Sequence, residues 1–184
     1  MATGPRQSYA QLKAALFARD GGRVHAVLDG RVVPGLPGLL EKADVAGWDC
    51  LERGALSAEG ARLAPYIAEL RAEAPFSDWV LAEAPATYPG WGIVLTSTRP
   101  LLAMREHCRN LDDVITPEGE RRPWRWYDPE LLAALLPSLS PSQLDELFAA
   151  GQQIVTVAPS AWTWHALEQG VLASSERAVL AETR

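Results

Sequence analysis

Trp91-Gly92-Ile93-Val94-Leu95-Thr96-Ser97 is the stretch that decides the fold. From Gly92 to Ser97 the run is continuous and lacks the apolar-polar alternation of a half-exposed strand, the pattern of a strand covered on both faces. Covering both faces requires helices. Downstream, Pro100 opens a helix in which Leu101, Met104, Cys108 and Leu111 share an apolar stripe, while Arg105, Glu106 and Arg109 lie toward solvent. This helix is expected to pack on the sheet. Upstream, Arg23 to Asp29 reads as a second, mostly apolar strand closed by Asp29-Gly30, which leaves Arg31 to Val33 as a candidate partner.

Further out, Ser8-Tyr9-Ala10-Gln11 has the form of a capping box, and Leu12, Ala15, Leu16 and Arg19 follow at helical spacing until Gly21-Gly22. Pro34 to Gly38 reads as a break, Leu39 to Ala43 as a helical turn, and Trp48 to Leu51 as a core strand. Ala64-Pro65-Tyr66-Ile67-Ala68-Glu69-Leu70 suits an edge or half-buried strand, and Ser77 to Ala84 a short helix. Val114-Ile115 and Pro123 to Tyr127 flank Thr116-Pro117-Glu118-Gly119, a turn with proline second and glycine fourth, so a β-hairpin is expected.

The hairpin leads into Trp124-Arg125-Trp126-Tyr127-Asp128-Pro129. Asp128 can accept hydrogen bonds from the open amides of a helical turn, and Pro129 fits the first helical position. The strand is therefore expected to end at Tyr127, with alternation sending Trp124, Trp126 and Asp128 to one face and Arg125 and Tyr127 to the other. Leu131, Leu132, Leu135 and Leu136 then mark a helix stopped by Pro137, and Ser140-Pro141-Ser142-Gln143 caps another. Ile154 to Ala158 reads as a strand, Trp162 to Leu167 as extended or helical, and Ser175 to Ala181 as a closing helix.

The chain has 184 residues, enough for one domain with a small lobe, and a formal charge of −6. That charge disfavours a general nucleic-acid or anionic-membrane surface. Met1 to Gln7 carries no apolar signal run and no segment reaches a membrane-spanning length, so a cytoplasmic location is expected. The two cysteines, Cys50 and Cys108, cannot build a disulfide framework or a zinc ribbon. Seven tryptophans are available as core filling or as interface anchors.

A nucleophile would need Cys108 beside His107 with Asp112 or Asp113 as orienter. Adjacent helical residues point about 100° apart, so His107 and Cys108 cannot face each other on one helix. A metal site would have to gather His25, Asp29, His107 and His165, none at recognised ligand spacing, and His25 and Asp29 would lie about 13 Å apart along a strand. No Walker-type or dinucleotide-binding glycine run is present. Arg121, Arg122 and Arg125 interleaved with Trp124 and Trp126 imitate a single-strand nucleic-acid surface, which the overall acidity argues against. The remaining readings are core tryptophans with Arg125 paired to a carboxylate, or a protein-binding ridge.

In their order, Val27 to Gly30, Ala64 to Leu70, Trp91 to Ser97 and Arg125 to Pro129 resemble the bacterial family of type VI secretion effector chaperones, also called adaptors and long catalogued only as a domain of unknown function. The family usually has phenylalanine where Trp124 and Trp126 stand, and members carry a histidine and a basic residue where His107 and Arg109 fall. The resemblance implies a non-enzymatic adaptor without cofactor or metal. It would bind one toxic effector in the bacterial cytoplasm, stabilise it, and help load it onto the spike of VgrG and PAAR-type proteins.

The fold expected is α/β (α+β), with a central mixed sheet flanked by helices over residues 1–137 and a smaller, mainly helical C-terminal lobe over 138–184. Trp91, Trp124, Arg125, Trp126, Tyr127 and Asp128 are expected to organise the scaffold, with their aromatic rings bordering the partner groove. An immunity-type toxin-binding protein, or a small cysteine- or metal-dependent enzyme, are the alternatives.

Overall fold

A computed structural model describes residues 6–111, 113–115 and 118–180. The central strand β5 (Gly92–Ser97) is buried along its whole length. It lies between β2 (Arg23–Asp29) and β8 (Gln153–Val157) in an eight-stranded sheet. From β2 the sheet continues through β4 (Pro65–Leu70) to β3 (Gly47–Cys50), two strands joined in sequence through α3 (Ala58–Leu63). From β8 it continues through β9 (Ala161–Glu168) and β10 (Val171–Val179) to β1 (Arg6–Gln7). The sheet is mixed: β1 runs parallel to β10, and the other neighbours are antiparallel.

Side-chain alternation sends each strand's apolar residues into one of two cores. Val24, Ala26 and Leu28 of β2 join Tyr66 and Ala68 of β4, Val94 of β5, Val155 of β8 and Trp162 and Trp164 of β9. Helices α1 (Tyr9–Phe17) and α2 (Leu36–Lys42) cover this face with Leu12, Leu16, Leu36 and Leu40. Val27, Ile67, Ile93, Leu95 and Ile154 face the other way, under α6 (Leu101–Asn110), α7 (Pro129–Leu135) and α8 (Pro141–Leu147). This is the expected α+β architecture with a helix-flanked mixed sheet. The capping boxes at Ser8 and Ser140 both form.

The first core is also covered by one helical run in three parts: α4 (Pro75–Asp78), a π-helical turn over Trp79–Glu83, and α5 (Ala84–Thr87). Pro85 has no N–H to offer the carbonyl four residues back, and its ring would clash there in regular α geometry. The π turn relieves this, with the Ala84 N–H donating to Trp79 O, five residues back. The short helix expected over Ser77 to Ala84 is thus longer at both ends.

The mainly helical lobe over 138–184 is not what forms. Beyond α8 the chain adds β8, β9 and β10 to the same sheet, so the sheet spans residues on both sides of 137. The closing helix expected from Ser175 is β10, its end at Ala181 lying outside the described residues. The missed signal is Gln169-Gly170, both with positive φ, which turns β9 into β10 with Glu168 opposite Val171.

Other expectations change in detail. Ala64 to Leu70 gives no edge strand, because β4 is buried between β2 and β3. Arg31 to Val33 does not pair; the Val32 and Val33 amides donate to Asp29 O and form a turn. Despite Pro37, α2 already starts at Leu36, where an early proline loses no bond. Arg109 is drawn away from solvent and donates to the carbonyls of Cys50, Leu51 and Glu52 at 2.8, 3.1 and 3.3 Å, tying α6 to the end of β3. The hairpin forms from β6 (Asp113–Ile115) and β7 (Arg121–Pro123), while the Thr116-Pro117 part of its turn and Asp112 lie outside the described residues.

Candidate partner-binding site

Asp29, the last residue of β2, is 1% exposed. A carboxylate so placed needs donors and a countercharge. Its Oδ1 accepts from the Arg31 N–H at 2.9 Å, and its Oδ2 faces Arg125 Nη1 at 3.5 Å. The other arm of Arg125 donates to Asp128 Oδ2. Asp128 Oδ1 accepts from the Glu130 and Leu131 amides, both at 3.1 Å, and so caps α7 as expected. Arg125 thereby links the buried acid of β2 to the cap of α7, and the Asp128 carboxylate raises the guanidinium further above its ordinary range. Replacing Asp128 with alanine is expected to cost about 1–2 kcal/mol, and Asp128→Ser, which keeps a cap without the ion pair, about half that. Urea unfolding measures both; a neutral Asp128→Ala would refute the cap.

Backbone contacts draw the neighbouring segments to the same point. The Asp29 N–H donates to Trp91 O at 2.9 Å and the Gly30 N–H to Ala64 O at 3.1 Å. A Cβ on Gly30 would stand 2.5 Å from Ala64 O, so only glycine allows this approach. Four stretches far apart in sequence meet at the end of β2: Val27 to Gly30, the start of β4, Trp91-Gly92, and Arg125 to Pro129.

The aromatic side chains are placed differently from expectation. The strand does not reach Tyr127; β7 ends at Pro123, and the Asp128 N–H donates to Arg125 O across a turn. A turn does not alternate faces. Trp126, 0% exposed, and Tyr127 therefore both enter the second core, their rings edge to face at 5.9 Å. Trp91, 1% exposed, lies in the first core, on the opposite side of the sheet. Trp124 is half-buried, with its indole N–H donating to Leu111 O. The six residues thus divide into core fillers (Trp91, Trp126, Tyr127), a side-chain tie (Trp124), and the ion pair of Arg125 with Asp128. They form no exposed tryptophan ridge. Asp29 is the member that the sequence reading left out of this group; a carboxylate closing an otherwise apolar strand was the available signal.

Trp91 does floor a cleft of about 540 Å³. Pro85, Ala86 and Pro89 form one wall, Pro129, Glu130 and Ala133 of α7 the other, and Thr156 to Pro159 the third side. Ala86, Pro89, Ala133, Ala158 and Pro159 are all exposed, so the cleft presents an apolar surface with one charged rim residue, Glu130.

The remaining candidates separate in space. His107 Nε2 lies 3.1 Å from Leu147 O and 2.8 Å from Gln152 Nε2, joining α6 to the segment after α8. Cys108 is buried in the second core. Among the described residues, no group of three or more His, Cys, Asp or Glu is placed to hold a metal ion, and no helix is long and apolar enough to cross a membrane.

His25 faces Glu69 across the β2–β4 ladder, with Nε2 and Oε2 3.6 Å apart, and Arg23 takes the other Glu69 oxygen at 2.5 Å. Burial outweighs the Glu69 attraction and pulls the His25 pKa down to about 4. Burial also lowers those of His107 and His165. A folded-state pKa below the unfolded one means that the unfolded chain takes up more protons between about pH 6.5 and 4. The stabilisation is complete above that window and is lost as pH falls through it, by up to roughly 3 kcal/mol for His25. His25→Phe should flatten the pH dependence of urea unfolding in this window; an unchanged slope would contradict this account.

The model of the domain of unknown function DUF4123 matches residues 24–146, well over half of the chain. The chain belongs to the DUF4123 family. All four converging stretches fall inside the DUF4123 match, as does α7 with its cap, whereas β8, β9 and β10 fall outside it. No curated protein and no solved structure matches the chain.

Proposed function

We propose that this DUF4123 protein is a non-enzymatic adaptor of type VI secretion. It holds a cognate toxic effector in the bacterial cytoplasm, stabilises it, and assists its loading onto the VgrG and PAAR-type spike. The observation that carries this reading is the four-segment junction at the end of β2, built from the stretches that resemble effector chaperones. The open apolar cleft beside it supports a binding role, since apolar surface left in water marks contact sites. Within this reading, Arg125, Asp128 and Asp29 set the position of α7, and Trp91 floors the surface offered to the partner.

The test is purification of the tagged protein from cells expressing the secretion apparatus, combined with deletion of its gene. Recovery of one toxin-type protein at equal stoichiometry, whose level and export fall on deletion while other cargo is unaffected, is the expected result. An export pattern indifferent to the deletion would overturn the adaptor role. A partner whose toxicity is blocked inside the complex, with export unchanged, would identify an immunity protein instead.

A further inference from the structure

The cleft floored by Trp91 coincides with a split in the sheet. β5 pairs with β2 from Gly92 through Ser97, but with β8 only from Val94 through Thr96. At its Trp91 end β5 therefore remains on β2 and parts from β8. The Ala158 N–H donates to Ala161 O on the β9 side, at 3.0 Å. Successive residues of a strand aim their backbone groups at opposite neighbours, so the Val157 N–H and C=O turn toward the β5 side, where β5 has already separated. Trp91 lines the same cleft, and its indole N–H is buried with no acceptor reaching it among the described residues. A backbone position facing a gap, a buried donor without an acceptor, apolar walls and one acidic rim residue together describe an occupant.

We infer that this split receives a short extended peptide segment of a protein partner, with apolar residues alternating with polar ones and a Lys or Arg at one flank. Its backbone pairs with Val157, one of its carbonyls accepts from the Trp91 indole, its apolar side chains meet Pro85, Ala86, Pro89 and Ala133, and its cation meets Glu130. Strand addition of this kind takes affinity from main-chain hydrogen bonds and specificity from alternate side chains. The inference rests on the adaptor reading for the partner's identity, but not for the chemistry of the segment.

Random heptapeptides displayed on phage, selected on the immobilised full chain and then synthesised with blocked ends, test it directly. Enriched peptides should alternate apolar and polar residues beside a basic flank, shift the indole resonance that disappears in Trp91→Phe, and lose binding on N-methylation of their central amide. Ala133→Trp and Ala86→Trp, both at exposed positions, should each weaken binding at least tenfold, while Leu102→Ala on α6 leaves it unchanged. Glu130→Lys should invert the preferred flank charge. Failure of any peptide to enrich, or equal binding to Ala133→Trp, overturns the site. Because the probe is a peptide, that failure leaves the export test untouched; an export pattern indifferent to gene deletion removes the adaptor role even where peptides bind.

Discussion

Replacing Gly92 with alanine is expected to cost about 2–6 kcal/mol of folding stability, the largest loss of the substitutions considered. Gly92 has φ of 146°, a region that side-chain-bearing residues rarely enter, and an added Cβ would stand 1.9 Å from Val27 O. The obstacle is backbone of the adjacent strand, and it cannot swing aside as a flexible side chain would. Relief requires pushing β5 from β2 where the Asp29 N–H meets Trp91 O, 2.9 Å away. Backbone strain costs on the order of 1–3 kcal/mol and overpacking a further 1–3, so about 2–6 kcal/mol is expected in total. Set against a typical stability of about 5–15 kcal/mol, that loss lowers Tm by about 2–4 °C per kcal/mol, on the order of 10 °C in total. Calorimetry decides it, and Gly90→Ala is the control: Gly90 also has positive φ, but the space around its added Cβ is open, so the loss should be much smaller.

Arg125→Ala is expected to have the second-largest effect. It strands the carboxylate of Asp29 at 1% exposure and removes a partner of Asp128. Removing one member of a buried pair costs about 3–5 kcal/mol, which the 37% exposure of the Arg125 side chain reduces to about 2–3. Lysine should not rescue it, because one ammonium cannot serve both carboxylates as a fork does. The diagnostic result is a double-mutant cycle. Asp29→Asn removes the buried charge, so Arg125→Ala in that background should cost at least 1 kcal/mol less than in the wild type. Strict additivity would show that the two residues are not coupled.

These two positions also show what could be read from sequence. The uninterrupted run from Gly92 to Ser97 identified the central strand, because burial on both faces leaves a compositional trace. The helix starts at Ser8, Asp128 and Ser140 were equally legible, since a cap is a local contract between a side chain and amides two or three residues on. The course of the chain through Arg125 to Asp128 was not, because a turn and a strand share those residue types and only the Arg125-to-Asp29 tie, across a long sequence interval, selects the turn. β10 was misread because Ala173, Ser174, Ser175, Glu176 and Arg177 suit a helix as well as an outer strand, and pairing with β9 overrode that local preference. Of the cleft only Trp91 was legible: most of its wall residues are alanines and prolines, which in sequence carry no chemistry.

The π turn over Trp79–Glu83 bears on how such a surface could change among related chains. A π turn is an α-helix carrying one extra residue that the bulge absorbs locally, so deleting Ala82, which is exposed, would leave the direction of the following turn nearly unchanged but bring the Pro85 ring against the carbonyl then four residues before it. The helix would kink at Pro85, and the wall it forms with Ala86 and Pro89 would be displaced. The surplus residue is thus the spacer that lets a proline, and with it one wall of the cleft, sit inside a helical run.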